Sequence, residues 1–460
     1  PPRSTLFPYT TLFRSYSGTN QTIVTPDGYQ NAYHNLTISG TGAVFPTSLN
    51  IVGDLLTNAA VNFSNKTIVM IGTDADAHYI GGTVSPAFYN LTLNKPVGSG
   101  SVVLSNNATV SNTLTLSGGL LDIANYDLTL GANAVAGTFS TTSMIDADGT
   151  GRVRRPYTGT GSYTFPIGET TSNTTYSPVT VNVTSGTFNN AYVGVNVTDA
   201  THPNNYANDN YLTRYWSVTQ IGITNAVATV TGTYVTGDAV GGESNLVAAQ
   251  LNGTFNVATN PWTRFTTLGS TTLTATGATL TPGQTSYFTG IKAEAITVAI
   301  AGDGTFCQNT PVTLTTSVSG GVGMYTYSWT GGLGSGTTAT PPTTSAGTTV
   351  YTLTVRDANG ATGTANATIV VTTLAVGGTL TGNQSICAST TPAAITVTGY
   401  IGNIIRWERS TTTAFANPTF ILSSNATLTG AEIGSTLTAT RYLRAVVQSG
   451  PCDVAYSNYI

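Results

Sequence analysis

Ala32-Tyr33-His34-Asn35-Leu36-Thr37-Ile38 recurs as Ala87-Phe88-Tyr89-Asn90-Leu91-Thr92-Leu93. Further along, Ser48-Leu49-Asn50-Ile51-Val52-Gly53-Asp54-Leu55-Leu56 recurs as Thr113-Leu114-Thr115-Leu116-Ser117-Gly118-Gly119-Leu120-Leu121. Inside each block apolar residues alternate with polar ones, as a strand with one buried face requires. Short strands, Asn and Gly at the turns and a loose internal repeat predict a stacked β-solenoid over residues 16–150, right-handed and parallel. A flat sandwich is the competing architecture. Asn35 and Asn90, central in their repeats, can stack as a turn ladder or serve as ordinary turn residues.

The composition agrees. Of 460 residues, 15 are basic and 19 acidic, so 7% are charged, against about 25% in an ordinary soluble domain. Threonine is the commonest residue and Gly adds 51. Thr, Val and Tyr suit a half-buried pleated surface, so the expectation is all-β. An apolar content of 40% suffices for several cores and argues against wholesale disorder. A net charge of −4 with only three lysines excludes nucleic-acid binding through a basic surface. No run of about 18 apolar residues exists, so no transmembrane segment is expected.

Pro1–Ser15 reads PPRSTLFPYTTLFRS. It resembles a translated sequencing adapter, whose reading frame encodes all fifteen residues. The segment 1–15 is therefore expected to be non-native and to lie outside the fold, and Arg3 and Arg14 with it. The natural N-terminus is expected to be missing. The strand-like run ending at Ile460 predicts truncation at the other end.

Residues 151–291 read as a β-sandwich. Val179-Thr180-Val181-Asn182-Val183 and Tyr192-Val193-Gly194-Val195-Asn196-Val197 alternate, with Gly, Pro and Asn turns between strands. Trp216 and Trp262 are expected as core anchors. Residues 295–372 carry Tyr325-Thr326-Tyr327-Ser328-Trp329, then Tyr351-Thr352-Leu353-Thr354-Val355-Arg356-Asp357 and the turn Ala358-Asn359-Gly360. This order resembles an Ig-like or polycystic-kidney-disease-type domain. Residues 375–460 repeat the theme with Ile405-Arg406-Trp407-Glu408 and Arg441-Tyr442-Leu443-Arg444-Ala445-Val446-Val447. They resemble an Ig-like domain, here C-terminally truncated. The whole of residues 16–460 resembles multi-domain bacterial surface proteins of the type IX secretion class, with solenoid and sandwich passenger regions before tandem Ig-like domains. That resemblance implies a secreted protein on the bacterial outer cell surface or otherwise extracellular.

Three cysteines are present: Cys307, Cys387 and Cys452. In the Ig-like unit that the resemblance implies, Cys387 precedes the first strand and Cys452 follows the late one. A disulfide between Cys387 and Cys452 is expected, with Cys307 left free; a bonded pair suits an oxidising exterior.

The search for chemistry finds little. His34, His78 and His202 are the only histidines, and no two lie within four residues of each other. The three lysines lie in no Gly-rich phosphate loop. The five glutamates are scattered, and no catalytic pair is indicated. Asp74 with Asp76, and Asp146 with Asp148, place carboxylates at i, i+2 beside turns, a weak pattern for calcium. An EF-hand loop begun at Asp146 would need Glu where Tyr157 stands. Otherwise no cofactor is expected. The loop His202–Tyr211 is a weak ligand candidate, since His202, Tyr206, Asn208, Asp209 and Tyr211 could stack on and hydrogen-bond a sugar.

The expected function is a non-enzymatic adhesin-type structural module, facing a surface glycan or another cell-surface protein. The alternative is a non-catalytic accessory region, carbohydrate-binding or spacer, of a larger secreted enzyme. An enzyme on the solenoid would need a groove of bases, and residues 16–150 offer only Lys66 and Lys95.

Overall fold

A computed structural model describes residues 13–27, 29–133, 135–171 and 173–460. It is all-β. Among the described residues the one α-helix is the single turn Gly430–Ile433, capped reciprocally by Thr429 and Glu432. No helix there is long and apolar enough to cross a membrane.

Residues 13–168 form a parallel β-solenoid of about seven turns. One flank stacks Phe13–Tyr16, Asn35–Ile38, Leu55–Thr57, His78–Gly81 and Val102–Leu104. It continues through the end of Ala108–Asp122, Ser143–Asp146 and Ile167–Glu169. The other flank stacks Ala32–Tyr33, Ser48–Ile51, Thr67–Ile71, Ala87–Asn94, the start of Ala108–Asp122, Leu128–Leu130 and Val153–Pro156. The alternating apolar residues point inward: Leu36, Ile51, Leu55, Leu91, Leu116 and Leu121 are fully buried. Burying one such side chain stabilises by about 2 kcal/mol. Phe45, Phe63 and Phe88 stack along the interior, with centroids 4.8 and 5.1 Å apart.

The stacking corrects three details of the sequence reading. First, the two copies of the second repeat occupy equivalent rungs, but those of the first do not. Asn35–Ile38 lies on one flank and Asn90–Leu93 on the other. The asparagine ladder is real but differently built: Asn112 donates to Asn90 and Asn133 to Asn112, both at 2.8 Å. Asn35 instead accepts from the Asp54 amide. Second, the parallel pairing passes residue 150 and ends at Ile167–Glu169. Third, Phe13, Arg14 and Ser15 do not lie outside the fold. They pair in register with Asn35, Leu36 and Thr37. An open edge offers unpaired N–H and C=O groups that almost any extended segment can complete. The rest of the adapter-like segment, residues 1–12, lies outside the described residues.

Val153–Pro156 is the switch between architectures. It pairs parallel with Leu128–Leu130 on one side and antiparallel with Val179–Thr198 on the other. Val179–Thr198 and Tyr211–Thr233 form a long hairpin. Thr272–Leu280, Thr285–Lys292, Leu246–Asn252 and Thr263–Thr267 extend the antiparallel part. Trp216 is fully buried, its indole N–H donates to the Ser177 carbonyl, and its ring lies over Gly232, where a Cβ would come within 2.7 Å. Trp262 is 2% exposed and donates to the Asn204 carbonyl. Both are core anchors.

Contacts divide the chain into two compact units. The first comprises residues up to Glu294 with Gly321–Tyr325 and Asp357–Ala361, and the second takes the remainder from Ala295. The second unit contains four small sheets. Ile296–Ala301, Leu314–Gly320 and Thr338–Ala339 form one; Gly304–Cys307, Thr362–Thr372, Gly347–Arg356 and Thr326–Trp329 form the next. Thr379–Thr381, Ile395–Thr398 and Thr427–Leu428 form the third. Thr419–Ile421, Asn403–Ser410, Tyr442–Gln448 and Ala455–Tyr456 form the fourth. Trp407, fully buried, centres the last core with Val397, Leu428 and Ala445.

The disulfide also differs from expectation. Cys307 bonds Cys452, with Cα atoms 5.3 Å apart, and Cys387 is free and exposed. The cause is pairing. Cys307 lies parallel beside Thr372, and the Thr372 hydroxyl is 3.3 Å from the Cys452 sulfur. Cys387 lies in an exposed loop before Ile395–Thr398. The bridge closes 145 residues, which the chain-entropy model values at about 5 kcal/mol.

Candidate functional site

The solenoid places Asp122, Asp146 and Asp148 together. Asp122 and Asp146 are register partners on adjacent rungs. Asp146 is 2% exposed; its Oδ2 accepts the Thr170 hydroxyl at 2.6 Å and its Oδ1 has no partner. Asp148 accepts from the Thr170 amide and the Thr171 hydroxyl. Burial pushes the Asp146 carboxyl up to about 7; the charges of Asp148 and Asp122 add to this, and Thr170 opposes it. Burial raises Asp122 as well, against the hydrogen bond from Ala124. The structure brings together the second expected calcium pair and adds Asp122 to it. A desolvated carboxyl facing two others keeps a proton most cheaply.

The first pair separates. Asp76 is exposed, whereas Asp74 accepts from His78 Nε2 at 2.7 Å. Burial works against the Asp74 charge, but His78, Lys95 and the Asp76 amide together outweigh it and hold the carboxyl below its usual range. Among the described residues no group of three or more His, Cys, Asp or Glu is placed to hold a metal ion.

The loop His202–Tyr211 is largely committed to packing. His202 is 3% exposed, with the rings of Tyr287, Tyr215 and Trp262 at 4.8, 4.9 and 5.0 Å. Burial lowers its pKa to about 4, so the imidazole is neutral, and Nδ1 accepts from the Asn204 amide. Tyr206 packs on Phe255, and Asp209 pairs with Lys292 at 2.8 Å. Tyr211 begins the strand Tyr211–Thr233 and pairs with Ile291. Of the five, Asn208 and Tyr206 are the exposed side chains without a described hydrogen bond, and Tyr206 keeps 43% of its surface open.

Sequence reasoning missed a buried charge cluster. Arg214, 1% exposed, donates from Nε to Asp238 at 2.7 Å and from Nη2 to Asp199 at 3.2 Å and Glu169 at 3.5 Å. Glu169 also accepts the Thr175 hydroxyl. Three carboxylates around one guanidinium tie the solenoid's last strand to the hairpin and to the loop at Asp238. Breaking such a network leaves uncompensated buried charge.

Comparisons with known proteins add the following. Residues 376–460 match a family model described as a domain of unknown function, DUF8696. No curated protein matches the chain. Three solved structures are similar to parts of it. Three N-terminal domains of the highly immunogenic outer capsid protein (Hoc) of bacteriophage RB49 are 15% identical, over 51% of this chain and 93% of that one, with a TM-score of 0.27. A 1.5-MDa bacterial ice-binding adhesin, described for host cell surface retention, is 14% identical over 50% and 88%, with a TM-score of 0.23. A tetra-tandem repeat from the extending region of a large adhesion protein is 12% identical over 62% and 94%, with a TM-score of 0.24. At these scores none of the three carries an argument about this chain.

Proposed function

We propose that this chain is a non-enzymatic, adhesin-type structural module acting outside the cell, on a bacterial outer surface. The observation that carries the reading is the Cys307–Cys452 bridge. A bridge of this kind persists in oxidising surroundings and is rare where glutathione keeps thiols reduced. It also makes the covalent path from residue 307 to residue 452 independent of the 145 residues it closes, which suits a part that bears load. The remaining features agree. His202 is neutral inside an aromatic cage, Arg214 is held by three carboxylates, and His78 is held by Asp74. General acid–base work needs positioned groups free to exchange protons.

The test uses beads coated with the oxidised chain. They are flowed over immobilised polysaccharides and whole bacterial cells, while the soluble chain is assayed on polysaccharide, ester and peptide substrates. Retention of the beads without turnover is the expected result. Turnover abolished by changing one His or carboxylate overturns the reading, as does failure of the beads to be retained on every surface.

A further inference from the structure

The antiparallel hairpin carries an irregularity that the fold alone does not require. Register between Val179–Thr198 and Tyr211–Thr233 slips between Phe188 and Tyr192. Within the bulge Asn190 has φ of 46°, in the left-handed region. Opposite it stands Gly222, at φ of 80°, where a Cβ would fall 2.2 Å from the Asn189 carbonyl oxygen. The chain thus carries, on the facing strand, the one residue that lets the bulge press in. Bulges re-aim side chains and cluster beside binding sites.

The bulge borders a groove of about 570 Å³, within the range of small-ligand sites. Its walls include Phe188, Asn190 and Tyr192 from the bulged strand, Arg154 from Val153–Pro156, and the threonines Thr129 and Thr158. Phe188 and Tyr192 are half-buried, so each ring keeps an open portion. The Arg154 guanidinium lies 5.3 Å from the Tyr192 centroid, and its Nη2 binds Asp127 at 2.5 Å. Arg154 Nε is buried with no partner, and the Asn190 amide is exposed without a described bond.

We infer that this groove is a saccharide-binding subsite and that its ligand is a neutral sugar. The inference rests on the surface-module reading and names the ligand class for it. A pyranose offers an apolar face for stacking and a rim of hydroxyls that both donate and accept. The groove supplies aromatic rings together with amide, guanidinium and hydroxyl groups. Asp127 already offsets the charge of Arg154, so a uronate carboxylate gains little there and a neutral sugar loses nothing.

The experiment titrates the full chain with cellohexaose, laminarihexaose, maltohexaose, xylohexaose and hexagalacturonate, read by saturation-transfer NMR. Binding of at least one neutral hexasaccharide is expected, with hexagalacturonate weaker. Asn190→Gly keeps the left-handed backbone and removes the amide, and weakens binding about tenfold, the loss of one good hydrogen bond. Tyr192→Ala abolishes binding, and Tyr79→Ala, at an exposed ring on the solenoid's other flank, leaves it unchanged. The inference is overturned if no neutral sugar binds, if hexagalacturonate binds best, or if Asn190→Gly binds as the parent does. Beads retained equally by parent and both groove variants would sink this subsite while leaving the module reading intact. Beads of the parent that are not retained at all sink the module reading itself.

Discussion

Replacing Asp146 by Asn should make the first unit more stable at alkaline pH and leave it little changed in acid. In the folded chain the Asp146 carboxyl titrates at about 7 rather than 3.8, chiefly because it is desolvated. A raised folded pKa means that the native state binds the proton more tightly than the unfolded chain. The resulting stability is fully present below about pH 4 and is lost as pH rises through 7. At 1.36 kcal/mol per unit, the difference between 3.8 and 7 is about 4 kcal/mol. Asparagine carries no charge at any pH, and its oxygen can still accept the Thr170 hydroxyl that Asp146 holds at 2.6 Å. The midpoint of the corresponding transition, followed by calorimetry at pH 4, 5.5, 7 and 8.5, should fall with pH in the parent and much less in Asp146→Asn. The two curves should meet near pH 4, and the variant should lead by up to about 4 kcal/mol at pH 8.5. Parallel curves, or a variant less stable at pH 8.5, would refute the reasoning. Either outcome would mean that Asp146 is ionised and compensated.

Other outcomes follow from the same geometry. His202 has the opposite sign. Its pKa falls from 6.5 to about 4 on folding, so stability is lost as pH drops through that window, by about 3 kcal/mol at most. Denaturant titration of His202→Gln between pH 4 and 7 should show that slope removed. Peptide mapping after alkylation under denaturing, non-reducing conditions should label Cys387 alone and recover Cys307 linked to Cys452. A linked peptide containing Cys387 contradicts the structure. Cys307→Ser should lower the stability of the second unit by about 5 kcal/mol, and label at two positions. At pH 5.5, where Asp146 keeps its proton, 5 mM calcium should leave the melting midpoint unchanged; a rise that Asp146→Asn abolishes would establish the calcium site instead.

Much of the fold was legible because period-two alternation is a direct consequence of strand geometry. Leu49 and Ile51, or Leu114 and Leu116, face one core because successive side chains alternate. The pattern does not reveal which neighbour a strand pairs with. Val153–Pro156 reads alike whether its partner is parallel or antiparallel, and it has one of each. Alternation therefore does not show that parallel pairing runs past residue 150 to Ile167–Glu169. The same limit hid the disulfide, since nothing near Cys307 in the sequence says that Thr372 runs beside it. Asn35 and Asn90 look equivalent in sequence, yet the chain turns after Tyr33 and runs on past Asn90, sending them to different flanks.

The candidate site was less legible, though one signal was available. In Leu212-Thr213-Arg214-Tyr215-Trp216 the period-two rule puts Leu212, Arg214 and Trp216 on one face. Leu212 and Trp216 are fully buried, so an arginine between them must enter the core with them. A buried guanidinium demands carboxylates, and Glu169, Asp199 and Asp238 supply them from three separate segments. The inward position of Arg214 could therefore have been read directly, whereas the identity of its partners could not. Its two flanking residues fix the depth of the charge, and the depth sets how many acceptors must converge on it. The groove beside Asn190 is the reverse case. Its rings and amides are ordinary turn and strand residues, and only the slipped register opposite Gly222 gathers them into one place.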